Sequence, residues 1–304
     1  MCEIGYWFSV AEKKRTEPDW QDIRVFLALG RHRSLSAAAR TLSVNHATIA
    51  RRIRSLEATL GEKLVERRPD GYVLTAAGTQ ALAVASDMET AVQTLVRGGT
   101  DGAPRGLVRI NAPPALAQGF LTERLAEIPL QFPGLDIDLA TDLRSVSLER
   151  HETDIAIRLG RPQDGDLMAK LLLPMAFGFY GTPAICQEVE EGAAPKFIGF
   201  DETNSYLPEA AWLAREFPNE RLVFRANNQV AQATAARSGA GLALLPHYIG
   251  RAERSLRLCR LEPVPPPREI WLLTRRQDRK ETPIRAVCDF IARKFAEERT
   301  LFEA

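Results

Sequence analysis

From Arg31 to Arg54 the chain carries six arginines and two histidines without a single carboxylate. This one-signed stretch lies inside a segment patterned for short helices, so its charge is held on a folded surface. Over Trp20 to Arg31, Ile23, Phe26, Leu27 and Gly30 recur at the i, i+3, i+4, i+7 spacing of one helix face. A second helix is expected from Ser36 to Thr41, with Ser36 as its N-cap. Ala37, Ala38 and Ala39 are small enough to let a neighbouring helix approach closely. Ser43-Val44 reads as a turn. The third helix starts at Asn45, another capping residue, and runs to Leu60, where Gly61 stops it. Ile49, Ile53, Leu56 and Leu60 form its inner stripe, and Asn45, Thr48, Arg51, Arg52 and Ser55 face away from it. Two helices joined by a tight turn, the second polar and basic outside, make a helix-turn-helix. Such a helix fits the major groove, its first side chains reach base edges, and arginines one turn on meet phosphates. On charge alone the run also reads as a solvated helix face.

The next forty residues extend this pattern. Lys63 to Arg68 and Tyr72 to Thr75 are extended runs around Pro69-Asp70-Gly71, a hairpin that forms a wing. Thr75 to Val96 reads as one long helix. Leu74, Gly78, Ala81, Ala85, Met88, Val92 and Leu95 follow an a/d heptad seam along it. The seam suits a dimer, and it also suits a helix packed on its own domain. Gly98 to Pro104 is a glycine-rich hinge.

The whole chain is nearly neutral, with 40 basic and 39 acidic residues. The balance is regional. Residues 19–97 carry net +3 and residues 98–304 net −2, so a basic head is offset by a slightly acidic body. At 304 residues the chain has room for two or three domains. No run of ~18 apolar residues is present, and the first basic cluster comes after the apolar start, unlike a signal peptide. Cys2, Cys186, Cys259 and Cys288 lack ligand spacing and read as reduced thiols of a cytoplasmic protein, with no structural zinc.

The run Ser34-Leu35-Ser36-Ala37-Ala38-Ala39, then Leu42, Val44, Thr48, Arg51, Ile53, Leu56-Glu57, Leu60-Gly61, Leu64, Arg67, Gly71, Leu74-Thr75 and Ala77-Gly78, closely resembles the N-terminal signature of LysR-type transcriptional regulators. The match covers about sixty residues without a gap. The resemblance implies a winged helix-turn-helix, mostly α, over 19–76 and a dimerising linker helix over 77–97. It also implies a hinge over 98–105 and an α/β effector-binding domain over 106–304, like a periplasmic solute-binding protein. The effector domain would divide into subdomain I (about 106–173 and 268–304) and subdomain II (about 174–267). Residues 1–18 read as a disordered extension. Implied partners are double-stranded DNA with an interrupted palindrome, a small-molecule effector, and further copies of the chain. These copies would form a dimer through the linker helix and a tetramer if the effector domains also pair. RNA polymerase joins them in an activator; a membrane, a metal and a cofactor do not. Two departures stand out. Asn45-His46-Ala47 occupy positions where many members carry Ser-Gln-Pro, so operator sequence does not transfer, and Val65 replaces a common Phe before Glu66-Arg67.

Candidate DNA contacts are Ser34, Ser36, Asn45, His46, Thr48, Arg51, Arg52, Arg67 and Arg68. Asn45, His46 and Thr48 suit base edges, Arg51 and Arg52 phosphates, and Arg67 the backbone. Asn45 also suits a simple N-cap and His46 plain solvent exposure. From Gly106 onward strand-like and helical runs alternate, as in α/β folds. Strands are expected at 107–110, 136–141, 154–158, 177–180, 196–200, 221–226, 241–245 and 270–274. Helices are expected at 115–130, 209–217, 228–238 and 282–298. No phosphate-binding glycine loop, nucleophile elbow or zinc-protease motif is present. His151 and His247 read as surface or capping residues. The strand-to-helix junction at Pro113, Pro114 and Ala115, the charge of Arg158 at a strand end, and the helix start at Asn228 and Gln229 nominate these residues for effector binding. Arg158 alternatively bridges a surface carboxylate and Asn228 only caps its helix. A non-catalytic solute-binding module and an α/β enzyme are the competing readings, and neither accounts for the basic head.

Overall fold

A computed structural model describes residues 17–69, 71–97, 103–141, 153–162, 167–276 and 282–304. The chain divides into two compact units, Met1–Val92 and Gln93–Ala304. Cys2, His151, Asp70 and most of the expected extension and hinge lie outside the described residues.

The first unit contains α1 (Trp20–His32), α2 (Leu35–Leu42), α3 (His46–Leu60), the hairpin strands β1 (Val65–Arg68) and β2 (Gly71–Leu74), and α4 (Ala76–Arg97). Local chemistry sets the boundaries. Asp19 accepts from the Gln21 amide to start α1, and Arg33 ends it in a left-handed conformation. The cap of α2 is Ser34, not Ser36. The Ser34 hydroxyl accepts from the Ala37 amide, and Ser36 falls in the first turn. The two serines are separated by one residue, and Ser34 is the one with extended backbone. Asn45 Oδ1 accepts from the Thr48 amide at 2.8 Å, and Gly61 closes α3 with φ +76°.

Phe26, Leu27, Leu29, Ile49, Ile53 and Leu64 fill the core of this unit. Each such side chain contributes about 1.5–3 kcal/mol by leaving water. Leu60 does not join them: it is 45% exposed, and Glu57 is buried instead. Glu57 accepts from Lys63 Nζ at 2.6 Å and from the amides of Leu64 and Val65. A carboxylate is thus drawn inside by the unpaired amides at the wing's entry.

The α4 helix is set hard against the wing. Thr75 accepts from the Gly78 amide and donates to the Lys63 carbonyl. A Cβ on Gly78 would collide with the Leu64 carbonyl oxygen, so only glycine fits. This divides the heptad positions, Gly78 and Ala85 turning inward while Met88 and Val92 stay exposed. Gly78, Leu82 and Ala85 are spent on the unit's own core, because small residues let α4 approach α1 and the wing. Among the described side chains, the large apolar ones left outside are Val84 (61% exposed), Met88 and Val92, and that of Leu95 lies outside the described residues.

The second unit has two lobes. Its elements run β3 (Gly106–Ala112), α5 (Pro114–Leu116), a π-helical turn (Ala117–Leu121), α6 (Thr122–Leu125), α7 (Ile128–Gln131), β4 (Leu135–Thr141), β5 (Ile155–Leu159), β6 (Leu167–Met175) and β7 (Phe177–Gly181). Then come α8 (Pro183–Glu190), β8 (Lys196–Gly199), α9 (Pro208–Glu216), β9 (Arg221–Arg225), α10 (Gln229–Arg237), β10 (Leu242–Pro246), α11 (His247–Gly250), β11 (Arg257–Cys259), β12 (Arg268–Arg275) and α12 (Thr282–Glu297). The expected single helix 115–130 is instead a broken series, widened where the Thr122 amide bonds the Ala117 carbonyl.

Lobe I holds the sheet β4-β3-β5-β12-β6, and lobe II the sheet β11-β7-β10-β8-β9. In each, the consecutive βα strands pair in parallel and one strand runs antiparallel to its neighbours: the late β12 in lobe I and the first strand, β7, in lobe II. The chain leaves lobe I at Ala176 and returns between β11 and β12. The first crossing falls just beyond the expected boundary near 173, because β6 runs on to Met175. The sequence pattern missed β6, β11, α8 and α11. One apolar core, including Phe120, Phe179, Phe197, Phe295 and Phe302, runs through both lobes.

Candidate nucleic-acid interface and ligand cavity

On the first unit, the turn between α2 and α3 presents a continuous exposed face. Ser36, Arg40, Asn45, His46, Ala47, Arg51, Arg54 and Ser55 are all exposed, and Thr48 is half-buried. Ser43 makes the turn in the left-handed region, with φ 54°. Because α3 begins at an Asn45 cap, the next amides point outward from its N-terminus, where the helix dipole favours an anion. Arg67 and Arg68 stand exposed on β1, and the Tyr72 amide donates to the Arg33 carbonyl, tying the wing to α1.

Two expected roles change in this setting. Ser34 uses its hydroxyl to cap α2. Arg52 does not reach outward: its Nη1 donates to the buried Asp22 carboxylate at 2.9 Å. Removing that arginine from Asp22 would strand a buried charge, so its first task is to hold α3 to α1. The residue that sequence reasoning missed is Glu57. Burial pushes its carboxyl up, but the bonds from Lys63, Leu64 and Val65 outweigh that and hold it below the usual 4.5. Its signal in the sequence is an acid at the inner helix face just before the wing.

In the second unit a cavity of about 160 Å³ opens between the lobes. Pro113, Pro114, Ala115 and Arg158 line it from lobe I, and Asn228 and Gln229 from lobe II. The six effector candidates therefore share one wall system. Asn228 also caps α10, its Oδ1 accepting from the Ala231 amide at 2.9 Å. Arg158 donates to the Ile157 and Asn111 carbonyls rather than standing at the surface. Leu116, Leu159, Phe200 and Leu207 make much of the remaining lining apolar.

Two charged lining residues, Arg268 and Glu209, were not foreseen. Arg268 at the start of β12 donates to Glu209 of α9 at 2.8 Å, and its Nη2 donates to the Leu159 carbonyl. This ion pair ties lobe I to lobe II at the cavity wall. No local pattern marks it, since the partners are far apart in the chain. Gln229 is 5% exposed, and its Nε2 has no acceptor.

His247, expected as a surface or capping residue, is buried in the first turn of α11 behind the Pro246 cap and shares a 2.8 Å hydrogen bond with the Tyr180 hydroxyl. Burial, aided by Arg251, lowers its pKa to about 4, so it is neutral at physiological pH. Cys186 and Cys259 are buried, and burial raises both thiols, Cys259 to about 12. They are poor nucleophiles. Among the described residues no cluster of three His, Cys, Asp or Glu is placed to hold a metal. None of the described helices is long and apolar enough to cross a membrane.

Comparison with known proteins bears on both regions. Residues 20–79 match the model for the bacterial regulatory helix-turn-helix protein, lysR family, and residues 101–296 match the LysR substrate binding domain. The Mau operon transcriptional activator of Paracoccus denitrificans is 29% identical over 287 residues, covering 92% of this chain and 97% of that one. The HTH-type transcriptional activator AmpR of Pseudomonas aeruginosa is 28% identical over 232 residues, covering 74% of this chain and 77% of that one. Among solved structures, ArgP of Mycobacterium tuberculosis aligns with a TM-score of 0.64 at 18% identity, covering 91% of this chain and 97% of that one. CrgA of Neisseria meningitidis, a LysR-type regulator, aligns at 0.55 and 21% identity, covering 91% and 99%.

Proposed function

Because the chain belongs to the LysR family of transcriptional regulators, we propose that α3 reads operator DNA from the major groove while the interlobe cavity holds the effector. The protein is a DNA-binding transcriptional regulator with an effector-binding domain, and not an enzyme. The observation that carries the DNA assignment is the exposed first turn of α3, opened by Asn45 and continued by Arg51 on the same outer face. In this reading Asn45, His46 and Thr48 meet base edges, with Ser36 beside them. Arg51 meets a phosphate, and Arg67 and Arg68 track the backbone beside the wing. Ser34 and Arg52 position α2 and α3 and make no primary contact.

Self-association runs through the apolar stripe Val84, Met88 and Val92 of α4, which its own unit leaves exposed. A two-fold pair would place two α3 helices on an interrupted palindrome, and pairing of effector domains would extend it to a tetramer. Effector binding then acts through its different affinity for two arrangements of the lobes, altering oligomer geometry on the promoter. The site of action is the cytoplasm, where the DNA is. Activation, which the Paracoccus relative's name states of that protein, would add RNA polymerase as a partner.

The test is fluorescence anisotropy of the full-length protein with DNA upstream of its own gene and its neighbours, at low salt. Saturable binding to one fragment over the others supports the reading, and equal or absent binding to all of them refutes it. Sedimentation of a Met88→Lys variant checks the α4 interface: loss of the dimer is expected.

A further inference from the structure

The lobe II sheet ends at β11, a strand of three residues that pairs only with β7. Behind it two sulfurs meet. Cys259, the last residue of β11, is 4% exposed, and Cys186, in the first turn of α8, is fully buried. The Cys186 thiol donates to the Arg257 carbonyl at 3.4 Å, and the Cys259 sulfur lies 3.8 Å from the Cys186 carbonyl oxygen. The two thiols also share a hydrogen bond. They stand 73 residues apart in the chain, so no spacing motif announces them.

Their surroundings divide into what opposes a thiolate and what favours one. Burial opposes it, and both thiols keep their protons at neutral pH. Three features at Cys186 favour it. The Gly181 amide donates to the sulfur, the Arg257 guanidinium is close by, and α8 turns the positive end of its dipole toward the site. Glu190 holds Arg257 with hydrogen bonds of 3.0 and 3.1 Å and accepts from the Arg260 amide at 2.8 Å, with the Arg260 charge nearby. With both thiols ionised, the two sulfurs, Glu190, Arg257 and Arg260 together lack one positive charge for neutrality.

The donor set narrows what could supply it. Among the described residues no third His, Cys, Asp or Glu joins the pair as a ligand set. Zinc takes four ligands, whereas thiolate sulfur suits a soft ion such as Cu(I). We propose that Cys186 and Cys259 form a two-coordinate site for a soft monovalent metal ion of the Cu(I) or Ag(I) class. Each thiol releases its proton to solvent and gives a sulfur lone pair to the ion. Two S–H bonds break, two metal–sulfur bonds form, and nothing is oxidised or reduced. Entry is from the sheet edge, since a three-residue edge strand opens locally at little cost. The bound ion ties α8 to the strand from which the chain returns to lobe I, an input separate from the interlobe cavity.

The experiment titrates the reduced full-length protein with Cu(I), without air and against a coloured Cu(I) chelator. One ion per chain held against the chelator is expected, with about two protons released per ion by calorimetry in buffers of different ionisation enthalpy. Cys186→Ser and Cys259→Ser should each weaken binding by more than the roughly 10–100-fold that a lost outer-shell partner costs. Cys288→Ser should bind as the unaltered protein does, because Cys288 lies on α12 beside Met168 and Lys170 of β6. X-ray absorption of the copper-loaded unaltered protein should show two sulfur ligands and no nitrogen or oxygen, a readout that stands even if a serine variant does not fold. No ion held against the chelator, unchanged affinity in a folded Cys186→Ser or Cys259→Ser protein, or loss of binding in a folded Cys288→Ser protein overturns the assignment. A nitrogen or oxygen ligand, or Zn(II) held as tightly as Cu(I), overturns it as well.

Discussion

On α3, Arg51 and Arg54 stand in solvent, whereas in the effector domain Arg268 and Arg275 lie folded against carboxylates and carbonyls. Arg275 donates to the Thr153 carbonyl and to Asp154, and Arg268 to Glu209 and the Leu159 carbonyl. The same side chain thus serves two physical purposes. An exposed guanidinium costs little to keep and is open to an anion from outside, an interaction that salt screens. A buried one is an internal fastener, and its removal strands a carboxylate away from water.

This contrast is tested hardest at Arg268. Arg268→Met leaves Glu209 unpaired at the cavity wall and is expected to cost about 3–5 kcal/mol of effector-domain stability. Chemical denaturation monitored by the tryptophan fluorescence of this domain measures it, and a change under ~1 kcal/mol would place this arginine with the exposed ones. His247 gives the next largest effect. An unfolded histidine takes its proton near 6.5 and the folded one near 4. The unfolded state therefore binds more protons between these values, and stability should fall by about 3 kcal/mol as pH drops across that window. His247→Gln should flatten that slope in a melting series from neutral pH down to the folded value of about 4.

In the head, Glu57→Gln removes the charge that holds Lys63 and the wing amides. A loss of about 1–3 kcal/mol is expected at neutral pH. Because the folded carboxyl titrates below 4.5, this contribution is complete above that pH and disappears as pH falls through the lower folded value. The variant and the native head should therefore converge in acid, which a pH series of melts reads directly. Arg51→Ala has a smaller effect and a different one. It should leave stability within ~0.5 kcal/mol. It should weaken binding to every DNA sequence alike and reduce the salt slope by about 0.9. A changed base preference instead would move Arg51 from phosphate to base reading. Arg54→Ala, whose Nε is turned back to the Ala50 carbonyl, should shift DNA affinity least of all.

The two regions also differ in how far their sequence announces them. In the head, caps, turns and inner stripes are local, so Asn45, Gly61 and the α3 face can be read directly. The errors there arise where distance along the chain matters. Periodicity alone turns Leu60 inward, but the wing's amides draw in Glu57 instead. Gly78 and Ala85 fit a heptad, yet their smallness serves the unit's own packing. In the effector domain, the strand-to-helix junction at Pro113 and the helix start at Gln229 can be read locally, because such places expose free amides, and Arg158 shows as a charge at a strand end. The Glu209–Arg268 pair leaves no trace, since α9 and β12 meet only through the two-lobed fold. Strand β6 escapes notice because Leu171-Leu172-Leu173 breaks the alternation that marks a half-buried strand.

The seating of Gly78 on the Leu64 carbonyl has a mechanical meaning. With a Cβ excluded at that point, α4 and the wing are in backbone contact and leave no side chain to act as a cushion between them. Glu57 fastens the same wing to the end of α3. A torque applied along α4 therefore reaches α3 through backbone contact and charged hydrogen bonds, with little slack to absorb it. α3, the wing and α4 are thus joined at this seat with no compliant side chain between them.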